Sequence, residues 1–322
     1  MGKKLGLALG SGGARGWAHI GVIRALQAAR IPIDYLAGAS IGAFVGGIYA
    51  AGQLDELEGF VRELDWKMLL SYFDVTFPNR GLLDGNRVYE LLAEHLGELA
   101  IETTLIPFCC VATDLLTGEQ RCLKSGPMVE AIRASIAIPG IFTPLEKDNT
   151  FLADGGIVNP VPVDVVREMG ADVVVAVNLS RYYSPESSGQ TLQVATESSL
   201  LESADKEEYL ATVPEGGLYP QLINTLKTKY STLKESLQQK LDGWATPEKS
   251  GPNIFDVIGS AINIMEQKVT QRNLEICPAD LLIEPDLTTF GIFDFHRAEE
   301  VIRTGYRQTR RAIPHIRSLL AS

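Results

Sequence analysis

Cysteine is scarce in this chain. Cys109, Cys110, Cys122 and Cys277 are its four cysteines in 322 residues, and none forms a CxxC pair. There is no disulfide framework to read, and a reduced, cytosolic protein is the expectation. Adjacent Cys109 and Cys110 fall in an apolar run, where free cysteine packs as a small hydrophobe. Positive charge is also in deficit: 29 Lys and Arg face 40 Asp and Glu, a net charge of −11. That excludes a nucleic-acid partner bound through a broad basic face, though not local basic patches. Histidine is limited to His19, His95, His296 and His315. No His or carboxylate cluster has ligand spacing, so neither metal nor cofactor is implied. No secretory leader is expected either, since Lys3 and Lys4 are followed by only a short apolar stretch, 5–9, before glycines begin. Gly6 stands where a myristoylation signal wants Ser or Thr. The uncharged run 35–52 has spanning length, but glycines interrupt it, and it reads as buried strand and helix.

Glycine and apolar residues are plentiful: 30 glycines, and 45% hydrophobic side chains, enough for a substantial core. The first fifty residues alternate. Apolar 5–9 reads as a strand, 10–16 as a glycine-rich loop, and the following stretch to about 29 as a helix closed by Arg30-Ile31-Pro32. Residues 35–39 read as a second strand and 41–51 as a second helix. A βαβα opening predicts an α/β fold with a largely parallel central sheet and helices on both faces. Further helices are expected at 53–66, 86–99, 128–135 and through most of 295–321. Further strands are expected at 107–114, 150–153, 172–178 and 281–284.

The chemistry centres on Gly38-Ala39-Ser40-Ile41-Gly42. A serine between strand and helix sits on a tight turn that pushes its hydroxyl out of the sheet edge. The helix N-terminus beside it favours developing negative charge. The plainer alternative is a capping serine in a glycine-rich helix start. To cleave an ester Ser40 needs a base, oxyanion donors and an acyl pocket. Gly10-Ser11-Gly12-Gly13-Ala14-Arg15-Gly16 can supply backbone N–H donors on the same sheet edge. Its rival reading is a dinucleotide cradle, but Arg15 stands where the third glycine of that fingerprint belongs. Two bases are open: Asp154, followed by Gly155 and Gly156, and His296, which would complete a Ser, Asp, His order. Asp154 also fits a simple Asp-Gly turn, and His296 a solvated helix start.

Taken together, the glycine-rich loop at 10–16, the Gly-x-Ser-x-Gly at 38–42 and Asp154-Gly155-Gly156 resemble, in that order, the patatin-like phospholipase family. Trp17-Ala18-His19-Ile20-Gly21-Val22 and Arg133-Ala134-Ser135-Ile136-Ala137-Ile138-Pro139-Gly140 resemble its flanking sequences. Similarity extends to bacterial patatin-like proteins and the esterase domain of neuropathy target esterase. The resemblance implies a patatin-like domain and a Ser–Asp dyad without histidine. Ser40 would be nucleophile, Asp154 base, and loop 10–16 the oxyanion hole. A lipid or lysophospholipid ester would be the substrate, cleaved through an acyl-serine. Ser11 departs from the glycine of many members. A non-catalytic lipid-binding protein on the same fold, and a Ser-Asp-His esterase, are the other readings. Arg15 reads equally as an anion ligand or a structural salt bridge, and His19 as a packed core residue.

The chain reads as one domain, 1–322, with a polar insertion at about 181–251. Leu222, Leu226, Tyr230, Leu233, Leu237 and Leu241 make an apolar helical stripe within it, accompanied by Lys227, Lys229, Lys234 and Lys240. A packed surface helix or a lid touching membrane transiently both fit. If the lysines attract anionic head groups, each contributes about 1 kcal/mol near the surface. Deleting 181–251 is then expected to lower hydrolysis of vesicle lipid while sparing a short soluble ester, compared in parallel assays.

Overall fold

The computed structural model describes residues 2–64, 85–180 and 254–322. The insertion at 181–251, with its leucine stripe and lysines, lies outside the described residues. In chain order the elements are β1 (Leu5–Leu9), a 3₁₀ turn (Gly13–Trp17), α1 (Ala18–Ala28), β2 (Tyr35–Ala39), α2 (Ile41–Ala50), α3 (Leu54–Glu63) and α4 (Asn86–Leu96). There follow β3 (Phe108–Asp114), β4 (Gln120–Leu123), α5 (Met128–Ser135), β5 (Leu145–Lys147), β6 (Thr150–Asp154), α6 (Val163–Glu168) and β7 (Val173–Val177). Last come α7 (Ile254–Ile276), β8 (Leu281–Ile283), a 3₁₀ turn (Phe295–Arg297) and α8 (Ala298–Ala321).

The eight strands form one sheet in the order β5-β6-β3-β2-β1-β7-β8, with β4 also on β3. The run β3-β2-β1-β7-β8 is parallel, while β4, β5 and β6 are antiparallel. This is the largely parallel α/β fold expected from the alternating pattern. Side chains alternate across it by the strand period of two. Leu5, Leu7, Leu9, Leu36, Phe108, Val173, Val175 and Val177 face α1, α2 and α8. The opposite face carries Ala8, Ala37, Ala39, Cys109 and Val111, which pack on Val163, Val165 and Val166 of α6. Small side chains there let α6 sit close. Both Cys109 and Cys110 are fully buried.

Helix ends account for most differences from expectation. The helix expected over 86–99 ends at Leu96 because Gly97 turns left-handed at φ 54°. Strands β4 and β5 escape sequence reading: Gln-Arg-Cys-Leu and Leu-Glu-Lys are too short and polar to show a period. They pair only because β3 and β6 offer open edges. Among the described residues no helix is long and apolar enough to cross a membrane.

Two inter-helix joints hold the layer over β1. Arg24 of α1 is buried against Glu58 at 2.7 Å and also pairs with Asp55, both on α3. Helices α1 and α8 cross where Gly21 lies against the Ile302 carbonyl and Gly305 against the Ala18 carbonyl, with no room for a Cβ on either glycine. Overpacking of this kind costs about 1–3 kcal/mol. Gly305→Ala is therefore expected to be destabilised by that amount, read by urea denaturation, with the site chemistry described below unchanged per folded molecule.

Candidate active site

Strand β3 brings the site together. Its residues Cys110 and Val111 pair with β4 on one edge and with β2 on the other. Ala112 and Thr113 pair with β4 and with β6. Strands β2 and β6 therefore share one edge of β3 end to end, and they run in opposite directions. Ala39 pairs with Val111, and Asp154 with the next residue, Ala112. The C-terminal ends of both strands meet there, delivering Ser40 and Asp154 to one point.

Ser40 adopts φ 54°, ψ −125°, a backbone region that non-glycine residues rarely enter and that costs on the order of 1–3 kcal/mol. It is held on both sides. Its N–H donates to Ser135 Oγ at 2.9 Å, and that hydroxyl donates to the Val111 carbonyl at 2.5 Å. Its carbonyl accepts from the N–H groups of Ala43 and Phe44. Gly38 and Gly42 are pressed together at the crossing of β2 and α2, and a Cβ on Gly42 would strike the Leu9 carbonyl. Ile41 opens α2 immediately after Ser40.

The Ser40 hydroxyl donates to Asp154 Oδ2 at 2.6 Å. Asp154 Oδ1 accepts from Gly156 N–H at 2.7 Å. The Asp154 N–H donates to Ala137 O and its carbonyl accepts from Thr113 Oγ1 at 2.7 Å. Gly155 packs on the Val111 carbonyl. Burial pushes the Asp154 carboxyl up to about 6, against the lowering effect of its bonds from Ser40 and Gly156. At neutral pH it is an ionised, poorly solvated acceptor for the serine proton.

The glycine-rich loop divides by use. Gly10 N–H donates to Val177 O, Ser11 N–H to Pro160 O, and Ala14 N–H to Ile292 O. Those three groups, expected as oxyanion donors, serve to hang the loop on its neighbours. The N–H groups of Gly12 and Gly13 have no acceptor among the described residues. Arg15 donates from Nε to Phe290 O and from Nη1 to Asn263 Oδ1, each at 2.9 Å, and Gly16 packs on Ile41. His19 is fully buried, and burial lowers it to about 4, so it is neutral. Its Nε2 lies 2.7 Å from Gly10 O, and a carbonyl only accepts, so Nε2 carries the hydrogen. His296 is exposed at the 3₁₀ turn before α8. Neither Ser40 nor Asp154 bonds a histidine.

Two contributions were not read from the sequence as parts of the site. Ser135 stood out only as a flanking residue. Helix α7 turns Gly259, Asn263, Glu266, Thr270 and Asn273 inward, while Val257, Ile264 and Met265 are exposed. The spacing of four and three is a helical face, but it is polar, so hydrophobic periodicity does not reveal it. Asn263 holds Arg15, and Asn273 donates to the Val158 carbonyl.

On this sheet an elbow serine is thus bonded to a buried aspartate beside a glycine loop. A family model described as patatin-like phospholipase matches residues 7–167. An uncharacterized NTE family protein of Mycobacterium bovis is 35% identical over 320 residues, covering 94% of this chain and 89% of that protein. Neuropathy target esterase of Drosophila melanogaster is 34% identical over 184 residues, 55% of this chain and 13% of its own length. A lysophospholipase of Neurospora crassa is 34% identical over 197 residues, 59% of this chain and 13% of its own length. The chain belongs to the patatin-like phospholipase family.

Leaving the Ser40 N–H buried without its acceptor costs about 1–3 kcal/mol. Ser135→Ala is expected to lose that much stability, read by chemical denaturation, and to lower turnover in whatever reaction Ser40 performs.

Proposed function

We propose that this protein is a serine lipid acyl hydrolase of the phospholipase or lysophospholipase type. The observation that carries the reading is the direct hydrogen bond from the Ser40 hydroxyl to Asp154. Asp154 Oδ2 takes the serine proton as Oγ attacks the ester carbonyl carbon. The free N–H groups of Gly12 and Gly13 receive the oxyanion. Collapse breaks the ester bond, and the leaving alcohol takes the proton from Asp154. Water then attacks the acyl-serine with Asp154 again as base, releasing the fatty acid and restoring Ser40. Burial matters here because an aspartate with a pKa near 4 is a weak base for serine, and raising it improves the match. The named activities of the eukaryotic relatives support a lysophospholipid or related lipid ester as substrate.

A fluorophosphonate probe is expected to label wild type and not Ser40→Ala; equal labelling of both removes Ser40 from the nucleophile's role. Asp154→Asn is expected to lose about a thousandfold or more in kcat, as for loss of a triad member, while His296→Ala keeps most of the rate. A thousandfold loss in the histidine variant would instead establish a Ser-Asp-His triad. Labelling without turnover on any lipid would favour a binding role.

The Asp154 carboxyl titrates near 3.8 ordinarily and near 6 in the fold. Between those values the unfolded chain releases a proton that the folded one keeps, so folding weakens as pH rises through that window. Asp154→Asn has no such dependence. Its stability relative to wild type is expected to grow from about pH 4 to about pH 6, read by thermal melts, while wild-type kcat/KM rises through the upper end of the same range.

A further inference from the structure

Glu266 projects from α7 into the site, and no step above uses it. It is 8% exposed. Its surroundings converge on the bare face of Gly156. A Cβ placed there would lie 2.5 Å from Glu266 Oε1, 3.0 Å from Asp154 Oδ1 and 3.1 Å from the Ser11 Cβ. Two carboxyl groups and the serine of the glycine loop thus crowd one small space. On the other side, Ser180 Oγ reaches Glu266 Oε2 at 3.4 Å. Ser180 closes the described chain after β7, immediately before the insertion. The Ser11 side chain is buried and its hydroxyl has no hydrogen-bond partner among the described residues, while its Cβ shares the space at Gly156 with the Glu266 carboxyl.

We propose that Glu266 is a positioning residue of the hydrolase, a carboxylic acid that works in its neutral form. It fills the space at the bare face of Gly156, between Asp154 and the Ser11 side chain of the glycine-rich loop, and leaves Asp154 as the one ionised carboxylate of the pair. The inference rests on the Ser40–Asp154 reading above.

The electrostatics agree with the geometry. Burial, and then the Asp154 charge, push the Glu266 carboxyl up to about 8. Ser11, Ser180 and the Arg15 guanidinium pull it down by less. These are the groups that face it: Asp154 from β6, Arg15 and Ser11 from the loop after β1, and Ser180 beyond β7. On α7 itself Asn263 is neutral and holds Arg15. Two carboxylates so close do not both ionise readily in a buried site, so the pair titrates in two steps. Between the steps Asp154 is charged and Glu266 carries the proton. Above the second step a new negative charge stands beside the base and under the loop that must receive the oxyanion. It opposes the charge that develops in the transition state.

The test is the pH dependence of kcat/KM on a short soluble ester for wild type, Glu266→Gln and Glu266→Ala. Fluorophosphonate labelling of Ser40 is measured alongside. Wild type is expected to give a bell: an acid limb near 6 from Asp154 and an alkaline limb near 8 from Glu266, with the rate falling about tenfold per pH unit beyond it. Glu266→Gln keeps the shape and never ionises. It is expected to hold the neutral rate within about threefold and to lose the alkaline limb, leaving a plateau. Glu266→Ala empties the space at Gly156 and is expected to fall at least about tenfold at every pH, with the acid limb unmoved. A wild-type profile flat through pH 8, an alkaline limb that persists in Glu266→Gln, or a Gln variant as slow as the Ala variant overturns the proposal. In each of those cases intact labelling of Ser40, with loss of turnover in Asp154→Asn, shows that the dyad reading stands by itself. Should the Ala variant fail to fold, the Gln profile alone decides.

Discussion

The site depends on one edge of β3. Strand β2 occupies its first half and β6, running the other way, its second. Two C-terminal strand ends are thereby brought together in the middle of the sheet, where an ordinary parallel arrangement would place them side by side. Ser40 and Asp154 are separated by 114 positions in the chain, yet Asp154 and Ala39, the residue before Ser40, pair with adjacent residues of one strand. On the proposed reading, such rigid support suits a dyad, because a two-member site has no third group to correct a misplaced base. The same edge explains Ser135, which bonds Ser40 to the Val111 carbonyl at the point where β2 ends.

Burial then decides what these groups can do. Ser40 and Asp154 are 5% and 4% exposed. A carboxylate deprived of water is a stronger base, and the fold bears the cost of keeping it there. The left-handed backbone of Ser40 adds strain in the same place.

Helix α7 departs from the usual rule for amphipathic helices. Its inward face is polar, and its exposed face carries Val257, Ile264 and Met265. A buried polar face is tolerable only when its groups find partners. Here Arg15, Ser180 and the Val158 carbonyl serve Asn263, Glu266 and Asn273, while the buried Thr270 hydroxyl has no partner among the described residues. The helix therefore lines the glycine loop and Asp154 with polar groups, and Glu266 is the member of that lining that shares the space at Gly156 with Asp154.

Local pattern determined a good deal. The strand-loop-helix opening and the glycines around Ser40 are consequences of neighbours in sequence, since chain reversal and close approach restrict which residues fit. They announced the α/β sheet and nominated Ser40, whereas Asp154 and His296 both stood open as its base until the family resemblance pointed to Asp154. Tertiary structure alone decided the rest. Which loop N–H groups are free depended on acceptors at Pro160, Val177 and Ile292, remote in the chain. The exposure of His296 and the inward turn of Glu266 depended on how late helices pack. Short strands β4 and β5 exist only because another strand offers an edge. Hydrogen-bond partners, burial and pKa are properties of what surrounds a residue, and for these groups the surroundings come from segments far away along the chain.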